Sequence, residues 1–290
     1  MKPRTFAVMR VLLFLLLFPV GASAQSVHPL PEVLHEISGL AVVGPDSIFA
    51  INDGGNGALL HVIDASGELR HTYPVPGTHN TDWESLARDD RGRLYLCDTG
   101  NNRNARRDLR IYRLDPTNRR VDTIAFHYPD QTEFPPPRAG WRYDLEGVFW
   151  YADSLHLFTK NRIGEGDYTT TYYTIPAQPG EYTAQRRERL LLKKRVVTGA
   201  ALRPDGREIA LLTYDVRRFF WVLPYFRASV FLVPNDGTPL STDRARRLRL
   251  PGLLKRQYEA IDYLDADTLL IGAERSYVLA PRLLRLSVER

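Results

Sequence analysis

The chain has 290 residues, 43% of them hydrophobic and 25% charged, with a formal net charge of +5 and one cysteine, Cys97. A single cysteine excludes an internal disulfide, and this length allows one large core. The positive charge is concentrated at the start of the chain and carries no argument for nucleic acid once the first residues are set aside.

Residues 1–24 hold Lys2, Arg4 and Arg10, an apolar run from Val11 to Val20, and the small residues Ala22-Ser23-Ala24. These are the three parts of a secretory signal peptide, too short for a comfortable membrane span. Cleavage after Ala24 takes the formal charge from +5 to +2. No later stretch has spanning length. The expectation is an exported protein, secreted or periplasmic, with residues 25–290 forming a single domain.

From there the chain repeats one phrase. Ser38-Gly39-Leu40 leads through Gly44-Pro45-Asp46 to a strand ending at Asp53. Trp83 to Ala87 leads through Asp89-Asp90-Arg91-Gly92 to a strand ending at Cys97. The same pattern starts at Glu146-Gly147-Val148, Thr198-Gly199-Ala200 and Glu259-Ala260-Ile261. Two further strands follow each of the first four pairs, and one follows the last, at Leu283 to Val288. The missing strand is expected from the start of the mature chain, around Ser26 to Leu34. A repeat of this period made of four antiparallel strands predicts an all-β, five-bladed β-propeller, its last blade closed by the N-terminal strand. The arginine clusters at 186–189, 193–195 and 244–249 fall on fourth strands and read as a solvated edge. Cys97 reads as a small buried apolar residue.

In a propeller the first strand of each blade lines the central tunnel. Aligning the repeats puts Ser38, Glu84, Glu146, Thr198 and Glu259 at one depth. All five carry side-chain oxygens, and three are carboxylates. Carboxylates crowded in a tunnel repel one another and are costly to bury. A hard divalent cation compensates, and Ca²⁺, with six to eight oxygen ligands and loose geometry, suits such a ring. Mg²⁺ asks for a tighter octahedron, and zinc for the His or Cys that the ring lacks. The alternative is a wet tunnel with the carboxylates hydrated or partly protonated.

The phrases HEISGLAV, DWESLA and QYEAIDY, with the five ring residues, resemble the calcium-activated nucleotidases, the secreted apyrases. That family holds calcium in a five-bladed tunnel with Ser, Glu, Glu, Ser and Glu, one per blade. The resemblance therefore implies Ser38, Glu84, Glu146, Thr198 and Glu259 as metal ligands, and nucleotide-handling residues on loops above them. It spans the first two strands of every repeat.

The lead-in to each first strand and the exit from each second strand lie at the same mouth. Candidate ligand-binding residues there are Asp53, Asp82, Asp98, Asp144, Lys160, Arg162 and Glu274. Asp, Asn and Gly also serve strand exits as turn formers. Nothing in a turn requires Lys160 or Arg162, which suit a small anionic ligand, and Lys160 is expected to be exposed. Residues 99–102 depart from the acidic-basic pairs of the apyrases. The aromatic stretch Arg217 to Phe226, with Phe219, Phe220 and Trp221, is expected as a loop that folds over its blade or meets a partner or membrane surface. Two functions stay open: a calcium-binding binding or scaffold module, and a calcium-dependent hydrolase of phosphorylated or other anionic small molecules. The loop departures favour the first.

Overall fold

A computed structural model describes residues 25–161, 168–192, 194–219, 223–250, 256–276 and 279–289, with the backbone alone at 216–219 and 223–226. The signal peptide, Arg162, Phe220 and Trp221 lie outside the described residues, as do the side chain of Phe219 and Lys193.

The chain opens with β1 (Gln25–Pro29). Blade 1 is β2 (Ile37–Gly44), β3 (Ser47–Asn52), β4 (Leu59–Ile63) and β5 (Leu69–Pro74). Blade 2 is β6 (Trp83–Arg88), β7 (Leu94–Asp98), β8 (Arg110–Leu114) and β9 (Val121–His127). Blade 3 holds β10 (Asp144–Tyr151), β11 (Ser154–Lys160), β12 (Thr169–Pro176) and β14 (Gln185–Leu191), with β13 (Gly180–Thr183) between the last two in sequence. Blade 4 is β15 (Val196–Leu202), β16 (Glu208–Phe219), β17 (Leu223–Pro234) and β18 (Arg246–Arg249). Blade 5 is β19 (Tyr258–Asp265), β20 (Thr268–Ala273) and β21 (Arg282–Ser287). Its outer edge is β1, which pairs antiparallel with β21 from Gln25↔Leu286 to Pro29↔Arg282. The fold is a five-bladed β-propeller of antiparallel four-stranded sheets.

Local chemistry makes the turns. Asp89 Oδ1 accepts from the backbone N–H groups of Arg91 and Arg93, and Gly92 takes φ +81°. The Asp side chain thus mimics a turn, and Gly supplies the left-handed residue without a Cβ clash. Ala152 and Asp153 both have positive φ between β10 and β11, the conformation of a two-residue hairpin that matches strand twist.

Packing joins the blades. Each inner strand lies against the next: β2 on β6, β6 on β10, β10 on β15, β15 on β19, and β19 back on β2. Five apolar clusters fill the five seams. Tyr95 and Ile111 of blade 2 meet Leu157 and Tyr173 of blade 3 in one of them, with the free thiol of Cys97 buried among them. Leu40 and Ile48 of blade 1 meet Leu270 and Leu283 of blade 5 in another, which closes the ring. Each fully buried side chain of this size contributes roughly 1.5–3 kcal/mol.

Two features differ from expectation. β13 leaves blade 3 to pair in parallel with β9, so blade 2 gains a fifth strand. The stretch expected as a loop continues as hairpin, with β16 and β17 paired out to Phe219↔Leu223. Its aromatic residues suit a β-ladder as readily as they fill a satellite core.

Candidate metal centre

The inner strands carry the same irregularity five times. Antiparallel register breaks between Ile37 and Gly39, Trp83 and Ser85, Leu145 and Gly147, Val197 and Gly199, and Tyr258 and Ala260. The residue left unpaired is Ser38, Glu84, Glu146, Thr198 or Glu259. A bulge leaves one residue out of the ladder and re-aims its side chain. All five are buried.

The residue after each bulge is small because the next blade is close. A Cβ on Gly39 would lie 2.6 Å from Leu86 N and 2.8 Å from Leu86 Cβ. On Gly147 it would lie 3.0 Å from Ala200 Cβ, and on Gly199 3.1 Å from Glu259 O. The ring hydroxyls serve the same seams. Ser38 Oγ donates to Trp83 O and Thr198 Oγ1 to Tyr258 O, both at 2.8 Å. Each retains lone pairs but gives its proton to a neighbouring blade.

The carboxylates gather at the end of the tunnel where the inner strands begin. Three groups each place three acid oxygens within 4.8 Å of one another: Asp53 with Glu259 and Glu274, Asp53 with Asp82 and Glu84, and Glu84 with Asp144 and Glu146. They share Asp53 and Glu84, so seven carboxylates form one array. Gly54 and Gly100 form its wall. A Cβ on Gly100 would reach 2.6 Å from Glu84 Oε1, and one on Gly54 2.5 Å from Asp82 Oδ1. Turn propensity alone does not account for glycine at these strand exits.

Burial pushes the Asp53 carboxyl up to about 7, against the Gly54 N–H that donates to it, with Glu259 and Asp82 adding to the rise. Burial and the neighbouring Glu259 push Glu274 up to about 11. Burial also raises Asp82, with Asp144 beside it, and Asp144 itself. Glu84 and Glu146 are raised well above the ordinary carboxylate range, by burial and then, for Glu84, by the charge of Glu146. Without a cation the array favours protons.

Lys160, expected to be exposed, turns inward. Its Nζ lies 2.5 Å from Glu146 Oε1, with the side chain 16% exposed, and 5.9 Å from the Tyr214 ring centroid. Burial works against its charge, but Glu146, then Tyr214, Glu259 and Asp144, raise its pKa well above the usual value. Asp98 stands apart from the array. Its Oδ1 accepts from Asp82 N at 3.0 Å and Arg106 Nη1 at 3.1 Å, and its Oδ2 is buried without a hydrogen bond.

Two contributors have little signal in the sequence. Gln257 Nε2 donates to Glu259 Oε1 at 3.0 Å and Glu274 Oε2 at 3.2 Å. It stands two residues before Glu259, just ahead of β19. Arg106 also donates to Gly100 O at 2.9 Å and pairs with Asp108; nothing in its loop marks it.

The five inner strands end around a cavity of about 390 Å³ lined by Val42, Arg88, Phe149, Tyr151, Arg203 and Asp262 among others, and by none of the seven acids. Asp262 accepts from Val42 N at 2.7 Å and from its neighbour Tyr263 N at 2.8 Å. Burial pushes its carboxyl up to about 6 despite both bonds.

No protein-family profile matches the chain, and no curated protein matches its sequence. Solved structures share its shape. A putative gluconolactonase is 14% identical over 96% of each chain, with a TM-score of 0.50. A gluconolactonase from Xanthomonas campestris is 14% identical over 90% of this chain and 89% of its own, with a TM-score of 0.48. A virginiamycin B lyase from Staphylococcus aureus is 10% identical over 92% of this chain and 100% of its own, with a TM-score of 0.42. At such identities the likeness is one of fold, and a shared propeller does not carry a shared activity.

Proposed function

We propose that this chain is an exported, calcium-binding β-propeller, a binding module whose ligand mouth lies above an ion held among the tunnel acids. The observation that carries the reading is Glu84. Its side chain is buried, 3% of the residue exposed, and among the described residues it accepts no hydrogen bond and makes no ion pair. It stands between Asp53 and Asp82 on one side and Asp144 and Glu146 on the other. A buried carboxylate among carboxylates asks for a cation or a proton.

The donor set fits calcium. The three groups offer carboxylate oxygens and neither His nor Cys, the hard, oxygen-only set that suits Ca²⁺ and not zinc. The ion would supply charge neutralisation and open coordination positions toward the mouth. Export rests on residues 1–24.

The second reading is a calcium-dependent hydrolase. The sign of the mouth bears on its substrate. The mouth gathers seven carboxyl groups against one divalent ion and Lys160, an acid-rich lining that does not favour phosphate esters. Lys160 is committed to Glu146 and is not free to hold an anion. Phosphoanhydride hydrolysis of the apyrase kind is therefore the weaker form of this reading. A neutral substrate, such as the lactone implied by the name of the putative gluconolactonase, meets no such barrier.

Elemental analysis of the purified protein, with thermal melts in calcium and in chelator, tests the ion. Calcium at a hundredfold excess over Kd should stabilise by about 2.7 kcal/mol. Absence of bound metal together with superimposable melts would overturn the reading. A calcium-dependent screen of nucleoside di- and triphosphates, phosphate esters and gluconolactone tests catalysis. Phosphate release would overturn the charge argument; no turnover of any substrate leaves the binding module.

A further inference from the structure

The three acid groups differ in what already neutralises them. In the group of Glu84, Asp144 and Glu146, the Lys160 ammonium sits 2.5 Å from Glu146 Oε1. Asp144 Oδ1 also accepts from Asn101 N at 2.6 Å. In the group of Asp53, Glu259 and Glu274, the Gln257 amide donates to both glutamates. In the middle group, Asp53, Asp82 and Glu84, the Gly54 N–H on Asp53 is the one N–H donor in direct contact, and Lys160, on Asp53 and Glu84, and Arg106, on Asp82, act only through charge at longer range. Among the described residues no side-chain or backbone N–H donates to Asp82 Oδ1, Asp82 Oδ2 or either oxygen of Glu84.

The middle group is also built for close approach. Gly54 packs against Asp82, and Gly100 against Asp82 and Glu84, at positions where a Cβ would collide with carboxylate atoms. Asp53 is the half-buried member, on the exit of β3, while Asp82 and Glu84 stand at the start of β6. The group therefore joins blades 1 and 2. Lys160 ends β11 of blade 3 and pairs with Glu146.

We propose that the divalent ion is held by Asp53, Asp82 and Glu84 at this seam, and that Lys160 is the resident cation of the Glu146 side and limits the ion's affinity. The assignment rests on the reading that the mouth binds a divalent cation, and it differs from a five-fold ring on the axis. In a ring, Glu146 and Glu84 are equivalent ligands. Here Glu146 already has its countercharge, and a second cation beside it would meet the ammonium.

Calorimetric titration of the whole mature chain with CaCl₂ separates these. Glu84→Gln and Asp82→Asn should weaken binding at least tenfold, and Asp53→Asn, at the half-buried position, serves if either of those fails to fold. Lys160→Met should tighten binding about tenfold, because a like charge is removed from the array. The pair Glu146→Gln with Lys160→Met removes the ion pair as a neutral unit and should stay within threefold of the wild type. An equal loss in Glu84→Gln and in the double variant would put the ion on the axis and overturn the assignment. Unchanged affinity in Glu84→Gln or Lys160→Met would also overturn it. Absence of binding in the wild-type chain would instead remove the underlying reading. A circular dichroism melt of each variant checks that it is folded.

Discussion

The two ends of the tunnel are lined by the same five strands, yet they solve opposite problems. Where the strands begin, five bulges turn one residue each out of register, and seven carboxylates meet around a single ammonium. Where the strands end, the register shifts again only in β2 and β19, and the lining mixes apolar side chains with Arg88, Arg203 and Asp262, the last tied to two backbone N–H groups. What sets the acidic end apart is a bulge repeated in every blade. It converts a wall of alternating side chains into a site where unlike blades present like groups at one level.

Four measurements can break or sharpen this contrast, taken from the largest effect to the smallest. Gly39→Val puts a side chain against backbone of the next blade at the bulged end. It should cost about 3 kcal/mol or more, at the upper end of overpacking, read as a fall in the urea midpoint at constant m. Calcium should act only on the bulged end, by about 2.7 kcal/mol at a hundredfold excess, and Glu84→Gln should cut that gain to about 1.4 kcal/mol or less while Asp262→Asn leaves it intact. An equal loss in both variants would erase the distinction between the ends.

The third measurement is the pH dependence of stability in saturating calcium, where Asp262 remains as a raised carboxyl outside the metal site. Its folded pKa of about 6 lies above the ordinary value of 3.8, so the folded chain binds the proton more tightly than the unfolded chain. The resulting stabilisation is fully present below pH 3.8 and is lost as pH rises through about 6. The shift corresponds to about 2 kcal/mol after allowance for partial exposure, and Asp262→Asn should remove this part of the profile. The smallest effect is a control. Gly44 has nothing within 4 Å of a built Cβ, and Gly44→Ala should change stability by less than about 0.5 kcal/mol.

Much of this was legible in the sequence because it is written five times. The phrases around Ser38, Glu84, Glu146, Thr198 and Glu259 align by eye, and a fifth repeat with one strand too few points to the β1–β21 closure. The bulge itself was not legible, since a single extra residue leaves no mark on a pattern of apolar letters. Its consequence was in view all along, as the Gly, Ser or Ala that follows each ring residue. The resemblance to the apyrases rests on these same places, and the solved structures compared, gluconolactonases and a lyase, do not support it beyond the propeller. Ser-Gly, Glu-Ser and Glu-Ala at these places answer to the approach of neighbouring strands, so the likeness is one of scaffold before it is one of chemistry. Lys160 was misjudged as exposed because a cation at a strand exit looks solvated; only the fold places Glu146 beneath it. The crossover of β13 onto blade 2 depends on a neighbour about 55 residues away, which local propensity does not see.

The bulged residue belongs to no ladder, so its identity is uncoupled from the strand around it. Ser, Thr and Glu already occupy equivalent places in one ring, with the sheet on either side unaltered. Each blade thus offers an exchangeable socket, and the chemistry of the tunnel can drift one letter at a time without a change in architecture. A chain built this way can pass from ion-holding to ion-free, or from one ligand to another, by single substitutions at the bulge.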